Sequence, residues 1–288
     1  MLANYSMHNR LVILTYPGHF LMTLLTIKSY LVHHLAPEEI IVVADDVSSQ
    51  SWSTYIQDCE ELYAPYSARV IASSAGTVAK HFAHNDWIRQ QIIKLHLDLL
   101  IDRDSWFFTD GDIIFLNSVT PGTIPYTMLY ESNPAITQQQ NSYVCAMLGI
   151  DQPGLVVNGQ QVCVSNPPFR NLSSQLLQDL RSWVETKSGK QFYQTHEPFQ
   201  YADSVSVSEW ELIENFRCYI MQQPPNLVQY APHTVGPGCL TIGDLNFFKH
   251  QFITCYCSDS ELGRVWLESH GATVSDHHWN LVEQIVRL

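Results

Sequence analysis

Three apolar segments in the first half of the chain end at polar or acidic residues. They cover residues 10–16, 40–44 and 106–110, and they are rich in β-branched and aromatic side chains. None of them alternates between apolar and polar positions, so each predicts a strand that is buried on both faces. Such strands are typical of a parallel sheet covered by helices.

Predicted helices lie between these strands. They cover about residues 19–34, 52–63 and 85–101, with Asn85 placed to cap the third, and a further strand covers residues 69–72. This alternation predicts an α/β fold, with a mostly parallel central sheet flanked by helices. The second half predicts a mixed α+β part.

The second half carries turn signals and amphipathic helices. Asn158-Gly159 predicts a hairpin turn between residues 155–157 and 162–164. A helix over residues 172–184 would bury one stripe, formed by Leu172, Leu176, Leu180 and Trp183. Further helices are predicted at about residues 208–219, 258–270 and 277–287.

The charge balance argues against several kinds of partner. The chain has 15 basic and 28 acidic residues, a net charge of −13, and no extended basic cluster. General affinity for nucleic acid or anionic membranes depends on such clusters, so neither is expected. The apolar residues 11–32 are interrupted by Pro17, Gly18 and Lys28, and we expect no membrane span.

The seven cysteines form no regular pattern. Their number is odd, Cys255 and Cys257 are the only close pair, and no signal peptide precedes them. We therefore expect reduced thiols and a cytoplasmic protein.

Polar residues follow three of the predicted parallel strands. They are Thr15, Tyr16, Asp45, Asp46, Asp110, Gly111 and Asp112. In α/β sheets, ligands bind beyond the carboxyl ends of the strands. These residues are therefore expected to meet at one rim of the sheet and to form a binding site there.

The Asp110-Gly111-Asp112 triplet is the most distinctive part of this rim. Two carboxylates one residue apart make a compact site for a hard cation such as Mn²⁺ or Mg²⁺. The glycine between them would let the backbone turn and approach a ligand closely. The alternative is an acidic turn without a metal, because Asp and Gly are common turn residues.

The helix before Asp110 has a polar face next to an apolar one. Trp87, Gln90, Gln91 and Lys94 share the polar face by helical periodicity. The expected buried stripe is formed by Ile88, Ile92, Leu95 and Leu99. The polar face is either part of the site or an ordinary solvated surface.

These features resemble the GT-A fold of nucleotide-sugar glycosyltransferases. An apolar strand enters Asp-x-Asp about a hundred residues into the chain, and residues 87–95 and 207–211 are similar to a poorly characterised bacterial branch of these enzymes. The resemblance covers roughly residues 10–220. It implies one GT-A-like domain over residues 1–288, with a nucleotide-sugar half at about 10–118 and an acceptor half at about 119–288.

The resemblance implies roles for the rim residues. Asp110 and Asp112 would hold Mn²⁺ or Mg²⁺ against the diphosphate of a sugar donor, with UDP as the default nucleotide. Thr15, Tyr16, Asp45 and Asp46 would hold the base and ribose. Gln91, Lys94 and Gly111 would contact the donor, with Lys94 near phosphate or sugar.

Acidic and histidine residues further along would complete such a site. Glu209 and Glu211 are candidate general bases for an acceptor hydroxyl, although acids at a helix start are often mere capping residues. His278, in the run Asp276-His277-His278-Trp279, is a candidate third metal ligand. The chain lacks the His-x-x-Gly-x-x-Lys-Pro-Trp ending of one retaining branch, which leaves this ligand and the stereochemistry open.

The leading hypothesis is thus a metal-dependent glycosyltransferase, specifically a hexosyl- or pentosyltransferase. Its acceptor would be a saccharide, a protein or a small molecule, with a modified nucleobase least favoured. Two alternatives remain open: a haloacid-dehalogenase-like phosphatase, which also places Asp-x-Asp after an apolar strand, and a non-catalytic saccharide-binding protein of the same fold.

Overall fold

The computed structural model describes most of the first half of the chain and part of the second. The described residues are 10–16, 20–33, 37–45, 52–73, 86–111, 113–115, 127–130, 134–151, 154–157, 160–161, 163–164, 169–195, 208–223, 227–229 and 252–254.

The strands and helices follow in chain order. The strands are β1 (Arg10–Thr15), β2 (Glu39–Ala44), β3 (Ala68–Ala72), β4 (Ser105–Asp110), β5 (Ile113–Phe115), β6 (Thr127–Tyr130), β7 (Val156–Val157), β8 (Gln160–Gln161), β9 (Cys163–Val164), β10 (Phe169–Ser173), β11 (Leu227–Gln229) and β12 (Phe252–Thr254). The helices are α1 (Phe20–His33), α2 (Trp52–Tyr63), α3 (Asp86–Lys94), α4 (Leu97–Leu100), α5 (Pro134–Leu148), α6 (Ser174–Ser188) and α7 (Glu209–Asn215).

The central sheet has the strand order β10-β4-β1-β2-β3. Its four predicted strands are parallel, with Leu14 of β1 opposite Val43 of β2 and Asp110 of β4. The predicted parallel sheet is therefore confirmed. Strand order reverses between β1 and β4, and this kind of crevice is where open α/β sheets bind ligands.

Helices cover both faces of this sheet. Leu11 and Ile13 of β1 pack with α1 and α2 on one face, while Val12 and Leu14 pack with helices α3 to α7 on the other. Full burial of one such side chain contributes roughly 1.5–3 kcal/mol. Successive side chains of β1 thus belong to different cores, which explains why its sequence shows no alternation.

The fifth strand of the sheet, β10, was not predicted. It pairs antiparallel with β4, and Leu172 lies opposite Trp106. Leu172 had been assigned to a helix, but α6 begins only after Ser173, whose side chain accepts a hydrogen bond from Leu176 N. The buried side of α6 accordingly runs through Leu177, Leu180 and Val184. Of the expected stripe, Leu180 is buried as predicted, and Leu176 and Trp183 are only partly buried.

The helix predicted over residues 85–101 is in fact two helices. Arg181 of α6 donates to the carbonyl oxygen of Leu95 at 2.6 Å and pairs with Asp98. That carbonyl would otherwise accept from Leu99 in a continuous helix, but Leu99 N donates to His96 O instead. After this break Leu99 is 57% exposed, so its predicted burial was wrong.

Two other predictions hold in modified form. Asn158 and Gly159 lie outside the described residues, but the strands β7 and β8 that flank them pair antiparallel, with Val157 opposite Gln160. In contrast, β9 pairs with β6. The helix predicted over residues 208–219 is α7 followed by a π-helical turn over Phe216–Ile220.

The helices expected at residues 258–270 and 277–287 lie outside the described residues. Within the described parts of the chain, every helix is too short or too polar to cross a bilayer. Cys59, Cys145 and Cys218 are free cysteines.

Gly111 is held between α1 and β1. A Cβ atom on Gly111 would lie 2.4 Å from Thr23 Oγ1 and 2.8 Å from the carbonyl oxygen of Leu14. Both distances are below van der Waals contact, and the second partner is backbone. The chain therefore needs glycine here for space, independently of any ligand.

Replacing this glycine should destabilise the fold. We expect Gly111→Ala to lower the free energy of unfolding by about 1–3 kcal/mol, the usual cost of overpacking. Urea denaturation measures it. Gly189→Ala is the control, because a Cβ there meets open space and only the left-handed backbone adds a cost of about 1 kcal/mol. A Gly111→Ala variant as stable as the wild type would contradict the packing argument.

Candidate functional site

Three of the predicted rim residues lie side by side. Thr15 ends β1, Asp110 ends β4, and Asp45 directly follows β2 and donates its backbone N–H to the carbonyl oxygen of Thr15 at 2.8 Å. The sequence-predicted convergence is therefore present for these residues. Asp46, Asp112 and His278 lie outside the described residues, and Tyr16 is half-buried.

The hydroxyl of Thr15 points into the structure. It lies 2.7 Å from the hydroxyl oxygen of Thr23, which is 3.3 Å from the carbonyl oxygen of Gly111. Thr15 and Thr23 are both fully buried. These contacts join β1, α1 and the turn after β4, which fixes the spacing of the two strands at the switch point.

Asp45 forms a buried ion pair with Arg89. Both side chains are at most 1% exposed, and Arg89 donates from Nε and Nη2 to the carboxylate at 2.8–3.0 Å. A bidentate pair of this kind has strong directional preference. It ties the end of β2 to α3. The expected contact of Asp45 with ribose stays a prediction, and in this structure the carboxylate is occupied by Arg89.

Lys94 joins two carboxylates at the centre of the rim. Its Nζ lies 2.9 Å from Asp110 Oδ1 and 2.9 Å from Glu209 Oε1. Lys94 and Glu209 are buried, whereas the side chain of Asp110 is 29% exposed. Gln91 and Lys94 of the polar face of α3 are thus buried and not solvated, because α7 covers them. The three charges sum to −1, and only Asp110 faces outward.

Gln91 and two aromatic rings complete the surroundings of Lys94. With its nitrogen towards Glu209, the Gln91 amide donates to Oε1 at 2.8 Å. Lys94 Nζ also lies 5.6 Å from the ring centroid of Phe108 and 5.5 Å from that of Trp210. An ammonium this close to aromatic faces gains cation–π attraction, so Lys94 is held from several sides.

Burial and ion pairing shift the pKa values of Lys94 and Glu209 in opposite directions. Burial alone would lower the pKa of Lys94, but the charges of Asp110 and Glu209 outweigh it and raise that pKa above its ordinary value. Burial raises the pKa of Glu209, and Lys94 opposes this effect. Lys94 is therefore cationic at neutral pH, and its charge favours the ionised form of Glu209.

The first turn of α7 places both candidate bases in the interior. Ser208 caps the helix, its side chain accepting from Glu211 N, and Glu209 and Glu211 are at most 1% exposed. Asn215 Nδ2 donates to Glu211 Oε1 at 3.2 Å. Of these two acids, it is Glu209 that pairs with Lys94.

Another buried cation, which was not predicted from the sequence, lies against Trp210. Arg170 of β10 donates to Glu214 Oε1 at 2.6 Å, and its Cζ lies 4.5 Å from the Trp210 ring centroid. Arg170 and Glu214 are both at most 3% exposed. A basic residue in a short strand after two prolines carried no signal, because its burial arises only when α7 packs on β10.

The described residues supply part of a cation site. Asp110 gives a hard, partly exposed carboxylate oxygen at the switch point, which suits Mn²⁺ or Mg²⁺. Among the described residues, no group of three His, Cys, Asp or Glu could hold a metal ion. The other expected ligands, Asp112 and His278, are not among them.

Several solved structures are similar to this chain in outline. They include a galactosyltransferase, LgtC, in complex with donor and acceptor sugar analogs (12% identity, 77% of this chain and 73% of that one, TM-score 0.43). PaToxG glycosyltransferase (10%, 75% and 70%, 0.42) and mouse xyloside xylosyltransferase 1 (9%, 76% and 84%, 0.42) are others. At these TM-scores the likeness is weak.

Sequence comparison gives a firmer assignment. No curated protein sequence matches the chain. Residues 23–217, which contain most of α1, the rim residues from Asp45 to Asp112 and all of α7, match the profile of the family of unknown function DUF6492. Since the match covers more than half of the chain, this protein belongs to the DUF6492 family.

Proposed function

We propose that the protein is a metal-dependent glycosyltransferase that moves a sugar from a nucleoside diphosphate donor to an acceptor hydroxyl. The observation that carries the proposal is the Lys94–Asp110–Glu209 cluster at the sheet's switch point. It combines a carboxylate that can bind a hard metal ion, a cation that can bind phosphate, and a candidate base, with each carboxylate 2.9 Å from the Lys94 ammonium. The Asp-Gly-Asp motif and its preceding helix agree with the resemblance to GT-A enzymes.

Each residue of the cluster has a distinct role in the proposal. Asp110, with Asp112 and His278, would hold Mn²⁺ or Mg²⁺. The cation would neutralise charge that develops on the departing diphosphate. Lys94 would share its ammonium between Asp110 and a donor oxygen, and Gln91 would keep Glu209 oriented. Thr15, Tyr16, Asp45 and Asp46 would line the nucleoside end, with UDP as the first nucleotide to test.

Glu209 is the favoured general base. Its carboxylate is buried, and burial raises its pKa, which brings a carboxylate nearer to the proton affinity that base catalysis needs. Glu211 contacts Asn215 instead. The acceptor would be a saccharide, a protein or a small molecule, and its hydroxyl would approach Glu209 past Asp110, the most exposed group of the cluster.

Donor binding should be conditional on the metal. We expect UDP with Mn²⁺ to raise the melting temperature by roughly 5–10 °C at about 100 times its Kd. EDTA should abolish the shift, as should Asp110→Asn and Asp112→Asn. Asp102→Asn is the control, since Asp102 is exposed and precedes β4. Absence of a shift with every nucleoside diphosphate tested would contradict the donor site.

Removing the charge of Lys94 should destabilise the folded protein. We expect Lys94→Met to lower the free energy of unfolding at pH 7 by about 3–5 kcal/mol, because Glu209 is left buried without its cation. Guanidinium denaturation at pH 7 and pH 5 measures this loss.

The loss should be smaller at pH 5. Burial raises the pKa of Glu209, so protonation on acidification removes the uncompensated charge, while Lys94 in the wild type stays charged throughout this range. The Lys94→Met/Glu209→Gln double variant should recover much of the loss. A loss that is equal at both pH values and unchanged in the double variant would contradict this account.

Glu209 and Glu211 offer a matched pair for testing the base. We expect Glu209→Gln to slow sugar transfer by about 100-fold or more while metal-dependent nucleotide binding persists. Glu211→Gln should reduce the rate much less. Product formation with the donor identified by thermal shift provides the assay. Equal rates for the two variants would remove Glu209 from its proposed role.

A further inference from the structure

In the described part of the structure, only one of the three nitrogens of the Arg170 guanidinium donates a hydrogen bond. Nη1 donates to Glu214 Oε1 at 2.6 Å. Nε and Nη2 are buried, and neither has a hydrogen-bond partner among the described residues. These two nitrogens form the edge that binds a carboxylate or phosphate with two parallel hydrogen bonds. The open edge therefore has the geometry of an oxyanion receptor.

A buried charged donor without a partner is unusual. Leaving such a donor unsatisfied costs about 1–3 kcal/mol, and more when the group is charged. The indole on which Arg170 stacks has the same deficiency, since Trp210 Nε1 is also buried and unpartnered. Both side chains lack acceptors, so the missing partner has to accept hydrogen bonds.

Because Arg170 carries a full positive charge, an anion would bind its open edge more strongly than a neutral acceptor. Glu214 is shared, since Arg217 Nη1 also lies 3.6 Å from its Oε1. Glu209 also acts on Arg170, but it is paired with Lys94. The π-helical turn that carries Arg217 starts directly after α7, and such turns are frequent at functional sites.

We propose that the Nε and Nη2 edge of Arg170 is a binding site for a small oxyanion of the carboxylate or phosphate type. The site lies against the ring of Trp210 and uses none of the residues assigned to the proposed sugar transfer. Arg217, whose side chain is 19% exposed, marks the side from which an anion would enter. The occupant is small, because the receiving atoms are enclosed.

Thermal stability with defined anions tests the site. Formate, acetate and inorganic phosphate are compared with chloride at constant ionic strength. At least one oxyanion should raise the melting temperature saturably, by about 5 °C or more at roughly 100 times its Kd. Arg170→Lys should abolish the effect, because lysine keeps the charge but has no two-nitrogen edge.

Arg181→Lys is the matched control. Arg181 is also largely buried, but its guanidinium is engaged by Asp98 and the carbonyl oxygen of Leu95. The anion effect should persist in this variant. Equal stabilisation of wild type and Arg170→Lys, or stabilisation by chloride to the same extent, would overturn the proposal.

A crystal of the wild-type protein soaked in selenate decides the matter if Arg170→Lys does not fold. An anomalous selenium peak with oxygens within hydrogen-bonding distance of Arg170 Nε and Nη2 would support the site. Ordered water alone on that edge, or an empty edge, would overturn it.

Discussion

The buried ammonium of Lys94 is the contact on which the arrangement of this site depends. It links the end of β4 to the start of α7, and its partner Glu209 is 115 positions away in sequence. Buried ion pairs contribute uncertain net stability, because desolvation offsets much of their attraction. Breaking one side, however, leaves a charge in the interior. This penalty restricts α7 to positions in which Glu209 reaches Lys94.

Trp210 contacts the cations of two ion-pair clusters. Lys94 pairs with Asp110 and Glu209 at the rim, whereas Arg170 and Arg217 share Glu214. Lys94 and Arg170 both lie within 6 Å of the centroid of its indole ring. Cation–π attraction therefore adds to ion pairing for both cations. The outward-facing carboxylate of Asp110 at the switch point suits a cation, and the open edge of Arg170 suits an anion.

The local sequence pattern was sufficient to predict the first strands and helices of the chain. β1, β2 and α2 follow from apolar runs and helical periodicity, and their observed bounds agree with the predicted ones to within about one residue. Prediction failed where a distant side chain intervened. Arg181 interrupts the helix after Lys94 by taking the Leu95 carbonyl, and pairing with β4 makes Leu172 part of a strand. Neither event has a signature within its own segment.

The sequence by itself determined that parallel strands end in polar residues at one rim, because strand direction and period are local properties of the chain. It also identified Lys94, Gln91 and Glu209 as candidates. Only the tertiary structure decided that Lys94 binds Asp110 and Glu209 together, that Asp45 is taken by Arg89, and that Arg170 is buried with an open edge. Those outcomes depend on which faces of α3, α7 and β10 meet. A charged residue that becomes buried must be paired or hydrogen-bonded, because burial of an unpaired charge costs free energy.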